Sequence, residues 1–150
     1  MRKFAAAVAV LGLSALGVAV PATTAQAAGE STTGAICDSK WGPRNGNMYA
    51  WEHYDCQGTL LISTPGNSSW WGTSAQDKAT SVMNRGYTGS LAVVKFYEHV
   101  NHGGGHGCLL PGELYADNLT DNRLSNGVGA NDRISSHKWV NSTDCSTLLT

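Results

Sequence analysis

The sequence predicts an all-β fold, a sandwich or a small Greek-key barrel of short strands, on three observations. Apolar residues come in brief runs, Met48 to Trp51, Leu60 to Ile62, Leu91 to Tyr97 and Ile134 to Val140, separated by Gly, Asn and Pro. Helical period is absent after the first 27 residues, and 18 glycines with few Leu, Ala or Glu runs lower helix propensity throughout. A pattern also recurs at an offset of 46 residues: Trp51-Glu52-His53-Tyr54-Asp55-Cys56-Gln57-Gly58 lies over Tyr97-Glu98-His99-Val100-Asn101-His102-Gly103-Gly104. Two similar units therefore share one domain.

The chain opens on Met1-Arg2-Lys3, continues through the apolar stretch Phe4 to Val20 and reaches the small-residue site Ala25-Gln26-Ala27. This is the layout of a secretory signal peptide over residues 1–27, and it predicts a secreted, extracellular protein. A membrane anchor is the weaker reading, because the apolar run falls short of the roughly 20 residues a span needs and no second one follows. Removing residues 1–27 takes away Arg2 and Lys3, so the formal charge moves from −1 by two units to −3. That balance excludes a nucleic-acid footprint and a polybasic membrane patch. One domain of modest core fits the remaining length, and a monomer is expected.

Residues 28–36 are small and polar, predicting a flexible N-terminal tail, with the folded domain running over 37–150. Its first motif spans about 37–86 and its second about 87–145. All four cysteines, Cys37, Cys56, Cys108 and Cys145, lie in the exported part. An even count in an oxidising compartment predicts two disulfides rather than a metal cluster. Of three possible pairings, Cys37 with Cys56 and Cys108 with Cys145 is favoured, because each bridge then closes within one half of the domain.

The repeat continues downstream, where Asp77-Lys78-Ala79-Thr80-Ser81 matches Asp132-Arg133-Ile134-Ser135-Ser136 across an interval nine residues longer. An aromatic before a tight hairpin can fold over the bend, and the glycine seven residues on takes a backbone angle other residues disfavour. A carboxylate, turn carbonyls and a hydroxyl are all oxygen donors, the ligand set of a hard cation. Aromatic, six residues, glycine, then Asn/Asp-Asn/Asp-x-x-Ser/Thr-Ser resembles the signature of the microbial βγ-crystallins. Asn131-Asp132-Arg133-Ile134-Ser135-Ser136 fits it at every position; Gln76-Asp77-Lys78-Ala79-Thr80-Ser81 departs at its first residue.

The resemblance covers about Cys37 to Val140 and implies a disulfide-stapled Greek-key β-sandwich of two similar motifs that holds two Ca2+ ions. It implies one site from Thr80, the carbonyls of Lys78 and Glu52, and Asp132. The other takes Ser135, the carbonyls of Arg133 and Glu98, and Asp77. One carboxylate per site points to modest affinity, of the order of 10⁻⁴ to 10⁻³ M.

Exported chains with this pattern and paired disulfides also resemble the actinomycete metalloproteinase-inhibitor family. That resemblance implies a peptidase inhibitor whose partner is an extracellular protease, acting through a rigid surface loop and needing no catalytic residue. Loop candidates are Ser63 to Trp71 and the longer interval Pro111 to Val128. The alternative readings are an antimicrobial or killer-toxin-like protein and a cell-wall polysaccharide-binding module.

Other residues carry weaker signals. His99, His102 and His106 are close enough in sequence to reach one transition metal, although glycine-rich hairpin chemistry explains them better. Among five tryptophans, Trp70 and Trp71 stand out, since neighbours in an extended segment face opposite sides and one of the pair should be exposed. No Gly-x-Ser-x-Gly elbow marks a nucleophile, so no enzyme is predicted. Asn67-Ser68-Ser69, Asn118-Leu119-Thr120 and Asn141-Ser142-Thr143 match glycosylation acceptors and mark surface loops.

Overall fold

Alternation along the strands builds two antiparallel sheets around one core in the computed structural model, which describes residues 34–150. The signal peptide predicted over 1–27 and residues 28–33 of the predicted tail lie outside the described residues. The first sheet holds β1 (Asn47–His53), β2 (Gln57–Thr64), β3 (Ser81–Arg85) and β6 (Tyr115–Ala116), in the order β2-β1-β3-β6. The second holds β4 (Val93–His99), β5 (Gly103–Leu109) and β7 (Ser136–Val140), in the order β5-β4-β7.

Each half is a Greek key that lends its third strand to the other sheet. From the second half, β6 pairs with β3, Val82 facing Ala116 and Met83 facing Tyr115. From the first, Ser68 pairs with His137 of β7, each N–H donating to the other's carbonyl at 3.0 and 2.9 Å. The exchange is unequal: one crossing is a two-residue strand and the other a single bridge.

Inward residues of both sheets, Met48, Ala50 and Val82 against Val94, Phe96 and Leu109, form the main core, which the loops close with Trp71, Leu119, Leu124 and Ile134. Neighbours on the same strands face outward and build two smaller clusters, and each takes in one disulfide. Cys37–Cys56 lies with Trp51 and Met83; Cys108–Cys145 lies with Val93 and Val140. Both bridges follow the predicted pairing. In the chain-entropy account each contributes on the order of 3 kcal/mol.

One helical turn, α1 (Ala35–Lys40), starts two residues before the predicted domain boundary at Cys37. Its cause is distant in sequence. The buried Asp55 carboxylate accepts the Ile36 and Cys37 N–H groups at 3.0 Å, satisfying free donors at the helix start, and the disulfide fixes the turn on the sheet. Lys40 then lies 5.2 Å above the Trp51 ring.

Candidate functional site: two clefts between crossed motifs

The hairpins β1–β2 and β4–β5 bend in the same way. Each passes through two consecutive non-glycine residues with left-handed backbone, Asp55 and Cys56 (φ 52° and 55°) in one, Asn101 and His102 (φ 56° and 59°) in the other. Asp and Asn tolerate that conformation better than most residues. Two residues later stand Gly58 (φ 72°) and Gly104 (φ 73°), where a Cβ would come within 2.7 and 2.8 Å of the His53 and His99 rings. The repeat's glycine is thus required twice over, by angle and by space.

A serine holds each bend. Ser81 Oγ accepts the Cys56 N–H at 3.0 Å and donates to the His53 carbonyl at 2.7 Å; Ser136 Oγ does the same for His102 (3.2 Å) and His99 (2.6 Å). The last Ser of each downstream motif therefore locks that motif to its hairpin. Sequence reasoning had given no role to Ser81 or Ser136, although both stand at matching positions in the repeat.

The segments bearing Asp77 and Asp132 cross. The Asp77 N–H donates to the Ile134 carbonyl at 3.0 Å and the Asp132 N–H to the Ala79 carbonyl at 3.1 Å, so each aspartate sits beside the opposite motif. Thr80 and Ser135 are fixed the same way, their N–H groups donating to Trp51 and Tyr97 carbonyls at 3.0 Å. Both aspartates have left-handed backbone, φ 57° and 54°.

Two open clefts result. One, of about 480 Å³, is lined by Glu52, His53, Asp77, Lys78, Thr80 and Asp132. The other, of about 410 Å³, is lined by Asp77, Glu98, His99, Asn131, Asp132 and Arg133. Ser135 is buried beneath the second and reaches it through a 2.8 Å hydrogen bond to Asp77 Oδ1. The structure therefore brings together the residues of each predicted set, with both aspartates at both clefts.

The two glutamates brace hairpins. Glu98 accepts from the Gly105 N–H at 3.1 Å and Asn126 Nδ2 at 2.7 Å, and Arg133 stands 3.9 Å away. The Gly105 bond above all holds its carboxyl below the usual carboxylate range. At the equivalent place the Thr59 hydroxyl lowers Glu52.

Donor chemistry in the clefts fits a hard cation. Among the described residues no three His, Cys, Asp or Glu side chains group as a metal cluster, so an ion here would depend on carbonyls and hydroxyls. The Lys78 and Arg133 carbonyls accept no hydrogen bond from the described residues. Asn131 Oδ1 is buried without a partner while its Nδ2 donates to Asp132 at 2.8 Å. Gln76, at the matching position in the first motif, instead accepts the Trp70 indole N–H through Oε1. The departure from the pattern at Gln76 thus serves to pin Trp70.

The three histidines do not converge. His102 Nε2 faces the His137 carbonyl at 3.2 Å, His106 lies between Ser125 and Ser146 hydroxyls at 3.0 and 3.1 Å, and the His99 ring covers Gly104. His106 is held below its ordinary pKa by burial, with Lys95 adding to the effect. Trp71 is buried and Trp70 is 53 % exposed, as the extended-chain argument predicts.

Both loop candidates are tightly held. Residues 63–71 are tied to the second sheet by the Ser68–His137 pair, by Asn67 Oδ1 accepting the Trp139 N–H at 2.8 Å and by the Trp71 N–H on the Ser135 carbonyl at 2.9 Å. Pro65, Gly66, Asn67, Ser69 and Trp70 nonetheless face solvent. Within 111–128, β6 crosses to the first sheet, and the tip bearing Ser125 and Asn126 is fastened to His106 and Glu98.

No curated protein is significantly similar in sequence. Among solved structures, a chain from work on the evolution of the eye-lens βγ-crystallin domain fold is 22 % identical, with 65 % of this chain and 88 % of that one covered at a TM-score of 0.49. A βγ-crystallin from an archaeon is 23 % identical (63 % and 96 % covered, TM-score 0.47), and one from Ciona intestinalis 17 % (63 % and 99 %, TM-score 0.47). Residues 43–109, a little under half of the chain, match the family model of the peptidase inhibitor family I36. The protein is thus a disulfide-stapled β-sandwich of two exchanged Greek keys, and over residues 43–109 it resembles the peptidase inhibitor family I36.

Proposed function

We propose that this protein is a secreted inhibitor of an extracellular peptidase, a metalloproteinase, and acts by binding rather than by catalysis. The observation that carries this reading is the match of residues 43–109 to peptidase inhibitor family I36. Two disulfides support an oxidising, extracellular setting. Of the two loop candidates only 63–71 lies inside the matched segment, which favours it as the contact. Its backbone is already fixed by hydrogen bonds to β7, so docking orders little chain and loses little entropy.

A panel of extracellular peptidases titrated with the protein tests the reading. A thermolysin-like enzyme should be inhibited at about one-to-one stoichiometry, while its hydrolysis of the inhibitor stays slow. Absence of inhibition across metallo-, serine and cysteine peptidases would sink it.

The proposal includes two Ca2+ sites of structural role, one in each cleft. Bound calcium would offset the negative charge of the aspartates and tie the two motifs together. Thr80, Asp132 and the carbonyls of Lys78 and Glu52 would hold one ion; Ser135, Asp77 and the carbonyls of Arg133 and Glu98 the other. The crossed hydrogen bonds and the orphaned Asn131 Oδ1 support this scheme. Asp132→Ala should then abolish calcium-dependent shifts around Thr80, and Asp77→Ala those around Ser135, in amide-resolved NMR titrations. If each variant silences only its own repeat, the crossed scheme is wrong.

A further inference from the structure

The edges of the two sheets differ in a way that the repeat does not require. The outer edge of β5 is closed: the Cys108 N–H donates to the Thr147 carbonyl and the Leu149 N–H to the Cys108 carbonyl, both at 2.9 Å, and the Ser125 N–H reaches the His106 carbonyl at 2.8 Å. The matching strand, β2, is the end strand of its sheet. Among the described residues the backbone groups of Thr59–Thr64 bond to no backbone outside β1, and the Gly66 N–H meets only the Thr64 hydroxyl, at 3.2 Å.

Nor does β2 carry the usual protection. Gln57-Gly58-Thr59-Leu60-Leu61-Ile62-Ser63-Thr64 has no charged residue and no proline, whereas natural edges are commonly blunted by one or both. Bulges at Trp51 break the β1–β2 ladder early on, yet Ile62, Ser63 and Thr64 run in regular register with Ala50, Tyr49 and Met48. Leu60 is 49 % exposed beside a cleft of about 360 Å³ that it lines with Lys40, Tyr49, Trp51 and Arg85. The first described residue lies elsewhere. Gly34 stands against Tyr115 of β6, where a Cβ would lie 2.9 Å from the hydroxyl, at the opposite end of this sheet.

We infer that the free edge of β2, from Thr59 to Thr64, is a strand-addition surface for an extended backbone segment in the substrate cleft of the inhibited peptidase. This rests on the inhibitor reading above. Three features select that occupant. The regular part of the edge runs directly into the exposed 63–71 segment, so edge and loop form one continuous surface. Peptidase clefts hold substrates as extended chains through backbone hydrogen bonds, the interaction an unpaired strand offers. The strand is uncharged, so pairing desolvates no ion, and it is fixed at its root by Cys37–Cys56.

Amide hydrogen exchange on the full mature chain, alone and with the peptidase it inhibits, tests this. Exchange within Thr59–Thr64 should slow at least about tenfold in the complex. A Leu60→Lys/Ser63→Lys variant should weaken inhibition by about tenfold or more with unchanged melting temperature, because charged edge residues disfavour strand pairing. Trp70→Ala probes the loop separately. Full inhibition by the lysine variant with unprotected β2 amides would overturn the edge while leaving the inhibitor reading standing. A wild-type protein that inhibits nothing removes both. A concentration-dependent dimer dissociated by the lysines would make a second copy the occupant and overturn the inference. Should the variant fail to fold, exchange on the wild-type complex decides alone.

Discussion

Leu149→Ala is expected to destabilise the protein by about 2–5 kcal/mol, although the residue is next to last in the chain. Its side chain is 1 % exposed and belongs to the main core between the sheets. It can enter because β5 has glycine at 107: a Cβ there would lie 2.6 Å from Leu149 Cδ2 and 2.9 Å from Cγ. The tail is held in place by the Cys108–Cys145 bridge, by the backbone pairing at Cys108, and by Asn122, which accepts the Thr150 N–H at 2.9 Å and donates to its carbonyl at 3.0 Å. Truncation to Ala leaves these ties intact, so the cavity cannot close easily and the cost should lie well above that of a surface change.

The same geometry predicts a coupling. Gly107→Ala should cost about 1–3 kcal/mol by displacing Leu149. In the double variant the new methyl occupies space Leu149 has vacated, so the two costs should fall short of adding by about 1 kcal/mol or more. Urea denaturation of the four proteins measures this. Strict additivity, or a Leu149→Ala cost below about 1 kcal/mol, would show that the tail is not part of the core.

Leu149 also marks where the sequence stops being readable. Short runs, turn residues and the 46-residue repeat expose the strands and the two hairpins, since each is encoded within about ten residues. The clefts were legible too, because Asp77 with Thr80 and Asp132 with Ser135 recur at fixed spacing. The helix at Ala35–Lys40 was not, as its cap is Asp55, across a disulfide. The place of the tail was hidden for a similar reason: position 46 residues before Gly107 is Leu61, which fills its own half of the core from within the strand. Only in the second half is the apolar group supplied by a segment about forty residues away. The Ser81 and Ser136 locks were visible as repeated letters but not as hydrogen bonds.

Lowering the pH from about 6.5 to 4 should remove about 3 kcal/mol of stability through His137 alone. This side chain is fully buried on β7, where Nδ1 accepts the Trp71 indole N–H at 2.7 Å and Nε2 faces the Gly66 carbonyl at 2.9 Å. Nε2 must therefore carry the proton and Nδ1 must not. A second proton would set two donors against each other in a site without water contact. Burial pushes the pKa down to about 4; the Gly66 bond opposes the shift, and the nearby His102 adds to it. In the unfolded chain the imidazole takes a proton near 6.5, which the native state refuses until about 4. Between those values the unfolded state binds more protons, so stability is full above pH 6.5 and falls as the pH drops.

Other groups overlap only in part. His106, also depressed, adds a loss of the same sign, as do Glu98 and Glu52 at lower pH, whereas Asp117, raised mainly by burial, works the other way. Comparing urea unfolding of wild type and His137→Gln from pH 7.5 to 4, with chelator present, isolates the histidine. The variant should be less stable at pH 7.5, having lost the paired ring between Trp71 and Gly66, yet its profile should be flatter by about 1 kcal/mol per pH unit between 6 and 4.5. Parallel profiles would mean that His137 titrates normally in the folded protein. The consequence reaches the proposed contact segment, because Gly66 lies within 63–71 and is anchored by this ring. Acid should therefore loosen the 63–71 segment first, and hydrogen exchange at Ser68 and Trp71, whose N–H groups donate to the His137 and Ser135 carbonyls, should rise before that of β1 and β4.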